Sequence, residues 1–113
     1  MHEYSLMLAL MERVEEEAAS RRALAVHRVR IRIGELSGVE PELLESAFGI
    51  VRTGTICERA SLEIERVAAQ WACGLCHRLL AVGDRLQCPA CGSPAELKSG
   101  DEILLGQLEL EVP

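Results

Sequence analysis

Four of the five cysteines form two pairs of the kind that holds a metal ion. Cys73 and Cys76 make one C-x2-C knuckle, Cys88 and Cys91 make a second, and eleven residues separate the two pairs. Such a knuckle lets two thiolates converge on one metal through a tight turn, and Gly92 supplies the backbone freedom that the second turn requires. Four soft sulfur ligands select tetrahedral zinc. Because they leave no open position for water or substrate, the pattern predicts a structural zinc site.

Two other uses of these cysteines stay open from the sequence. Iron could occupy the thiolates, and the protein would then transfer electrons and be red when oxidised. A zinc ribbon could instead bind nucleic acid, but Trp71 is the only aromatic residue near the knuckles for base stacking. The basic residues there are only Arg78, Arg85 and Lys98. The remaining Cys57 is interpreted as a small, partly buried apolar residue.

A second metal site is suggested by the opening residues Met1-His2-Glu3. Methionine before a bulky histidine is generally not removed, so the α-amine stays at a fixed distance from the imidazole. An amine, deprotonated backbone amides and an imidazole can surround a divalent ion with a planar set of nitrogen atoms. That geometry suits Ni(II) or Cu(II) and not zinc. A solvated terminal histidine is the alternative interpretation, and the spacing alone does not separate the two.

Two amphipathic helices and three strands must position these residues. From Tyr4 to about Arg22, apolar residues recur at helical spacing and glutamates fill the other side. A second helix is expected to begin at Pro41 and to end near Gly54. The side chains expected to face the core are Leu6, Met7, Leu10, Met11, Val14 and Ala18 in the first helix and Leu43, Leu44, Ala47, Phe48 and Val51 in the second. Alternating residues predict strands near 28–33, 62–65 and 108–112, with Gly106 marking a bulge or bend.

The order of these elements predicts an α+β fold. Two helices would pack on one face of a three-stranded sheet, and a zinc-ribbon module would be inserted before the last strand. We expect residues 1–68 and 101–113 to form a nickel-binding α/β core domain and residues 69–100 to form the zinc-binding ribbon module, with a hinge at the two connections.

The charges on the other face of the sheet predict the strand order. The outward residues of the first strand are Arg28, Arg30 and Arg32, whereas those of the other two strands are glutamates. Opposite charges attract across neighbouring strands, so the arginine strand is predicted to lie between the two glutamate strands. A basic docking surface is the alternative role for the three arginines.

Composition limits the class of protein. Hydrophobic residues make up 49% of 113 residues, but aromatic residues only 3%, so the core should be aliphatic. The net charge of −6 argues against nucleic acid as a partner. We expect no membrane span, because no apolar run approaches the required ~20 residues, and no secretion signal. Five cysteines with four in metal spacing suit a reducing compartment, so a cytoplasmic location is expected. No phosphate-binding loop or nucleophile–base pair is evident, and we expect a protein that is not an enzyme.

Three segments together resemble the HypA/HybF family of hydrogenase maturation proteins. They are Met1-His2-Glu3-Tyr4-Ser5, then Gly34-Glu35-Leu36-Ser37-Gly38-Val39 followed by Pro41-Glu42, and finally the paired CxxC knuckles. The resemblance covers nearly the whole chain, with the parts in the same order and at similar spacing. It implies a nickel metallochaperone that helps to insert Ni(II) into the large subunit of nickel–iron hydrogenases, together with a partner GTPase, HypB. A homodimer is a further option, and a role toward urease stays open.

The same resemblance implies roles for individual residues. His2 would be the essential nickel ligand together with nearby backbone nitrogens, and Glu3 would be a second candidate that tunes nickel binding or contacts the partner. The zinc ligands would be Cys73, Cys76, Cys88 and Cys91. Glu40 could hold or exclude nickel, or be a solvated residue before the second helix. His77 could be a further nickel ligand, or lie exposed beside the zinc, and His27 is interpreted as structural.

Overall fold

The computed structural model describes residues 2–81 and 86–113. Its elements in chain order are α1 (Glu3–Ser20), β1 (Ala25–Gly34), α2 (Pro41–Val51), β2 (Ser61–Val67), β3 (Gln70–Cys73), β4 (Ala95–Ser99) and β5 (Ile103–Glu111). A three-stranded sheet has the order β2-β1-β5, with β1 parallel to β2 and antiparallel to β5. β3 and β4 form a separate antiparallel pair. The predicted α+β class, with a ribbon inserted before the last strand of the main sheet, is confirmed.

The two helices follow the apolar periodicity of the sequence. Met7, Leu10, Met11, Val14 and Ala18 are buried along α1, as predicted. The helix ends at Ser20, slightly earlier than predicted, and Arg22 beyond it has a φ of 54°. A positive φ cannot continue a right-handed helix.

The second helix differs from its prediction at two points. It begins at Pro41, whose missing N–H would have had no partner in a first helical turn. Leu44, Ala47 and Phe48 are buried as predicted, but Leu43 is 50% exposed. The helix ends at Val51, before the turn in which Gly54 has a φ of 76°.

Both helices cover the same face of the main sheet. The core is formed mainly by apolar residues of α1, α2 and β1, and the buried residues of β1 are Val26, Val29, Ile31 and Ile33. Val39, Cys57 and Ala60 from the connecting segments complete it. Apolar residues of β2 and β5 are only partly buried at its margins, as in the case of Leu62, Ile64, Leu108 and Leu110. The core therefore lies over the central strand, β1.

The opposite face of the sheet carries the charges. Arg30 Nη2 lies 2.9 Å from Glu63 Oε2, and Arg32 Nε lies 3.2 Å from Glu65 Oε2. Arg28 lies near a carboxylate on each neighbouring strand, Glu63 and Glu109. The arginine strand lies between the two glutamate strands, as predicted.

The last strand contains the predicted irregularity at Gly106. Arg30 pairs with Gln107 and Ile31 pairs with Leu105, so Gly106 is the additional residue of a β-bulge. Within the described residues, no helix is long and apolar enough to cross a membrane.

Candidate metal centres

The four cysteine sulfur atoms converge on a single point. They all lie within 4.8 Å of one another, with 3.3 Å between the Sγ atoms of Cys73 and Cys91 and 3.7 Å between those of Cys76 and Cys88. Thiolates bound at about 2.3 Å to a tetrahedral zinc ion lie roughly 3.8 Å apart. The donor set therefore fits one tetrahedral metal ion, with two buried and two exposed ligands.

Two similar turns bring the cysteines together. Cys73 is the last residue of β3, and its carbonyl accepts a hydrogen bond from the N–H of His77 at 3.1 Å. In the second knuckle, the carbonyl of Cys88 accepts one from the N–H of Gly92 at 2.8 Å. His77 and Gly92 both have positive φ, 62° and 75°. A histidine therefore adopts in the first knuckle the left-handed conformation for which glycine is suited in the second.

Backbone N–H groups lower the pKa of two of the thiols and so favour their thiolate forms. Cys76 and Leu75 donate hydrogen bonds to the Sγ of Cys73 at 3.3 and 3.4 Å, and these bonds lower the pKa of that thiol. Backbone hydrogen bonds from Cys91 and Ala90 likewise lower the pKa of Cys88. Since the metal ligand is the thiolate, N–H donors that stabilise negative sulfur favour metal binding.

Cys76 shows the opposite shift. Its thiol receives a backbone hydrogen bond from Arg78, which lowers the pKa. Its hydrogen bond with Cys73 and its burial outweigh that effect, so the pKa is raised to about 11. Four neighbouring sulfur atoms cannot all be negative without a cation among them, so the cluster needs a metal to become fully ionised.

At the other candidate site, His2 immediately precedes α1. Its side chain is exposed, and its carbonyl accepts the N–H of Leu6 at 3.0 Å, which is the first intrahelical bond. The amide groups of His2 and Glu3 precede that bond, so neither is used by the hydrogen-bond ladder of the helix. Amide nitrogens at this position can be deprotonated for a metal without breaking a helical hydrogen bond.

Glu3 connects the starts of the two helices. Only 6% of this residue is exposed, and its Oε2 accepts a hydrogen bond from the backbone N–H of Glu40 at 3.0 Å. This bond lowers the pKa of the Glu3 carboxyl group, and the backbone N–H of Glu3 lowers it further. The sequence drew attention to the side chain of Glu40, which is exposed, whereas the contact is made by its backbone. No residue-type pattern could have indicated it, because every residue except proline has this donor.

An open groove of about 540 Å³ lies beside the terminus, between His2–Ser5 and the exposed flank of α2. Leu43, Ala47 and Ile50 line its other side. The structure thus brings His2 and Glu3 together with the backbone of Glu40. His77 does not line this groove and is exposed in the first knuckle.

The remaining candidates lie elsewhere or outside the described residues. His27 is exposed, with its Nε2 3.1 Å from the Oε1 of Glu111. The predicted α-amine ligand belongs to Met1, and one of the basic residues weighed for nucleic-acid binding is Arg85. Both residues lie outside the described part of the chain.

Comparison with known proteins gives one consistent result. The family model for HypA, described as a hydrogenase/urease nickel incorporation metallochaperone, matches residues 1–110. A hydrogenase maturation factor HypA from Shewanella sp. (strain MR-7) is 42% identical, over 98% of this chain and 96% of the relative. The corresponding protein from Wolinella succinogenes is 41% identical over the same shares. The solution structure of the nickel metallochaperone HypA from Helicobacter pylori has a TM-score of 0.78 at 31% identity, and the match covers 100% of both chains.

Proposed function

Because the chain belongs to the HypA family of hydrogenase/urease nickel incorporation metallochaperones, we propose that it binds Ni(II) at its own N-terminus. The imidazole of His2 would be the essential side-chain ligand, together with backbone nitrogens around it. The metal would then be passed to the large subunit of a nickel–iron hydrogenase during its maturation. In this role Ni(II) is cargo, and the protein carries out no catalysis of its own.

The position of His2 before the first turn of α1 is the observation that carries this proposal. Its imidazole is exposed, and the neighbouring amide nitrogens lie outside the hydrogen-bond ladder of the helix. Ni(II) recovers the cost of deprotonating amides because it prefers a planar set of nitrogen ligands. Few contacts must be broken to release an ion held at such an exposed terminus.

Glu3 supports nickel binding through charge and position. The N-terminus of a helix carries partial positive charge, which repels a cation. The Glu3 carboxylate, kept ionised by the N–H of Glu40, offsets that charge next to His2. We therefore propose that Glu3 tunes nickel affinity, whether or not one of its oxygens also binds the ion.

The four-cysteine cluster would hold a structural zinc ion. Its donor set is the one that zinc prefers, and four protein ligands leave no open position on the metal. When bound, zinc would crosslink the two knuckles and stabilise the ribbon. Cys73, Cys76, Cys88 and Cys91 would be its ligands.

The family assignment supports a proposal for the partners and the location of the protein. We propose that the protein acts in the cytoplasm with the GTPase HypB and the hydrogenase large subunit. Nucleic acid is not proposed as a partner, since the net charge is −6 and the three arginines of β1 lie next to glutamates. Self-association into a homodimer is a further proposal, which light scattering of the zinc-loaded protein would test.

The decisive experiment is a nickel titration followed by absorption spectroscopy. The protein should be free of tags, loaded with zinc and unmodified at its α-amine. The wild type should bind Ni(II) saturably with a planar-nickel spectrum, and His2→Ala should lose that spectrum. His27→Ala is the matched control, because His27 is also exposed but lies beside Glu111 and away from the terminus. Equal binding by the wild type and His2→Ala would refute the N-terminal site.

A further inference from the structure

Residues 34–36 lie between the two connections of the ribbon module. The N–H of Glu35 donates to the carbonyl of Val67 at 2.8 Å, on the connection that enters the module. The N–H of Leu36 donates to the carbonyl of Gly100 at 2.6 Å, on the connection that leaves it. We call this region, residues 34–36, 67–69 and 100–102, the neck.

The neck is packed backbone against backbone. A Cβ atom on Gly34 would lie 2.3 Å from the carbonyl carbon of Gly100, and one on Gly100 would lie 2.4 Å from the Cα of Ala69. Gly100 also has a φ of +107°, which side chains rarely permit. Because these contacts involve backbone atoms, a displacement of one neck segment would displace the others.

One side-chain contact adds to this arrangement. The Oε2 of Glu35 accepts a hydrogen bond from the backbone N–H of Ala69 at 2.8 Å, although the side chain is otherwise exposed. The chain then continues from Glu35 through the buried Val39 to Glu40, whose N–H donates to Glu3. A short segment therefore has one end fixed at the neck and the other end in contact with the residue next to His2.

We propose that Glu35 is a positioning residue for the nickel site. It would hold residues 35–40 against the neck, so that the N–H of Glu40 is presented to the carboxylate of Glu3. Glu3 in turn fixes the first turn of α1, where His2 lies. This inference rests on the proposed function, since it needs nickel to bind at His2.

The expected effect is on the fraction of molecules whose terminus is ready to bind. Without the contact to Ala69, residues 35–40 move more freely, and the bond between Glu40 and Glu3 forms in fewer molecules. Nickel affinity falls in proportion to the fraction of binding-competent protein. Loss of one charge-assisted hydrogen bond at an exposed position predicts an increase of about three- to tenfold in the nickel Kd.

Three variants of the zinc-loaded full chain, compared with the wild type and His2→Ala, test this inference. Glu35→Ala should weaken nickel binding by that factor and shift the amide NMR signals of Ala69 and Glu40. Glu35→Gln keeps an acceptor oxygen and should restore nickel affinity to within about twofold of the wild type. Glu102→Ala is the control, because this substitution removes the same charge from the neck. The side chain of Glu102 forms no hydrogen bond or ion pair among the described residues. Zinc content should be unchanged in all of them.

The outcomes separate this inference from the proposed function. If Glu35→Ala binds nickel as the wild type does while His2→Ala does not, Glu35 has no positioning role and the N-terminal site stands. Equal weakening by Glu35→Ala and Glu102→Ala would overturn the inference in favour of a general charge effect. Wild-type affinity in His2→Ala would instead refute the proposed function itself. Should Glu35→Ala fold poorly, Glu35→Gln and Glu35→Asp replace it. The inference is supported if Glu35→Gln leaves the Glu40 amide signal and the nickel affinity unchanged, whereas Glu35→Asp shifts that signal and weakens nickel binding. It is overturned if neither variant changes the signal or the affinity.

Discussion

The cysteine cluster and the N-terminus differ in almost every property that governs how a metal is held. The cluster offers four side-chain sulfur atoms, two of them buried, from two hydrogen-bonded turns. The terminus offers one exposed imidazole and backbone nitrogens at the start of a helix. A cage of this kind suits an ion that stays, because release would break several preformed contacts at once. An open terminus suits an ion that must leave.

The two regions also differ in what supports their ligands. Backbone N–H groups of the knuckles donate directly to the ligand sulfur of Cys73, so the support is local to the turn. The support for His2 comes from further away, through Glu3 to the backbone of Glu40. The four cysteine sulfur atoms are thus positioned by short-range sequence, whereas the surroundings of His2 depend on the contact between the starts of α1 and α2.

The largest effect is expected when the cage itself is opened. Cys88→Ser should abolish stoichiometric zinc binding, because it removes one of the four thiolate ligands. The ribbon should then unfold, since structural zinc contributes roughly 10–16 kcal/mol to the folding of such modules. The apolar core of α1, α2 and β1 contains none of the knuckle residues. Elemental analysis should therefore show loss of zinc, and NMR should show amide signals collapsing between residues 70 and 99 while those of β1 remain dispersed. Full zinc retention would contradict the cage, and collapse of β1 would show that the two regions are one folding unit.

At the terminus, a change in length should matter as much as a change of residue. Adding Gly-Ser before Met1 moves the α-amine away from the imidazole and removes one nitrogen from the planar set. We expect about a hundredfold weaker nickel binding, equivalent to roughly 2.8 kcal/mol. The same two residues added after Pro113 serve as the control. Unchanged affinity in the N-terminal variant would mean that the amine is not a ligand.

Cys57 sharpens the comparison because it is a cysteine that takes no part in either site. It is fully buried, and burial together with the negative charge of Glu15 raises the pKa of its thiol from 9.0 to about 11. The unfolded chain loses this proton at lower pH than the folded protein does. Stability should therefore be unaffected below about pH 9 and fall by about 2–3 kcal/mol as the pH rises to 11. Chemical denaturation across this range, in the wild type and in Cys57→Ala, would measure the difference between them. An identical decline in both would assign it to other groups.

The smallest effect is expected at His77, where the two knuckles differ. His77→Gly should relieve the left-handed backbone conformation and stabilise the ribbon by up to about 1 kcal/mol, offset in part by the greater freedom of glycine in the unfolded chain. Thermal unfolding of the ribbon would measure this change, with Gly92→Ala as the reciprocal, destabilising variant. Nickel affinity should stay the same, because His77 does not line the groove beside His2. A loss of nickel affinity would indicate that His77 binds nickel. The first knuckle would then lie nearer to the N-terminus than the lining of the groove indicates.

Much of the fold could be predicted because its patterns are local. The apolar period of α1, the alternation along β1 and the proline at the start of α2 each depend on neighbouring residues, and each was confirmed. Leu43 was assigned to the wrong side because periodicity gives the width of an apolar stripe only approximately. Leu43 and Leu44 are neighbours in the sequence, but Leu44 is buried in the core, whereas Leu43 lines the open groove beside His2.

The strand order was also predictable, but from charge and not from periodicity. Arg30 and Arg32 needed carboxylates beside them, and Glu63 and Glu65 provide them on the parallel neighbour. Long-range pairing is usually hidden from a single sequence, because any strand can pair with any other through its backbone. Here the side chains on the exposed face distinguished one order from the alternatives.

The sequence by itself determined the donor chemistry of the protein, which consists of four thiols at knuckle spacing and an imidazole at position 2. It also contained a family resemblance that extends over nearly the whole chain. Residue types and short spacings carry that information, since they fix which atoms can bind a metal and how closely they can approach one another. Only the tertiary structure decided that the carboxylate of Glu3 meets the backbone of Glu40 and that the carboxylate of Glu35 meets the backbone of Ala69. Both contacts join a side chain to a backbone N–H more than 30 positions away. Every residue except proline offers that donor, so only the packed chain selects which one is used.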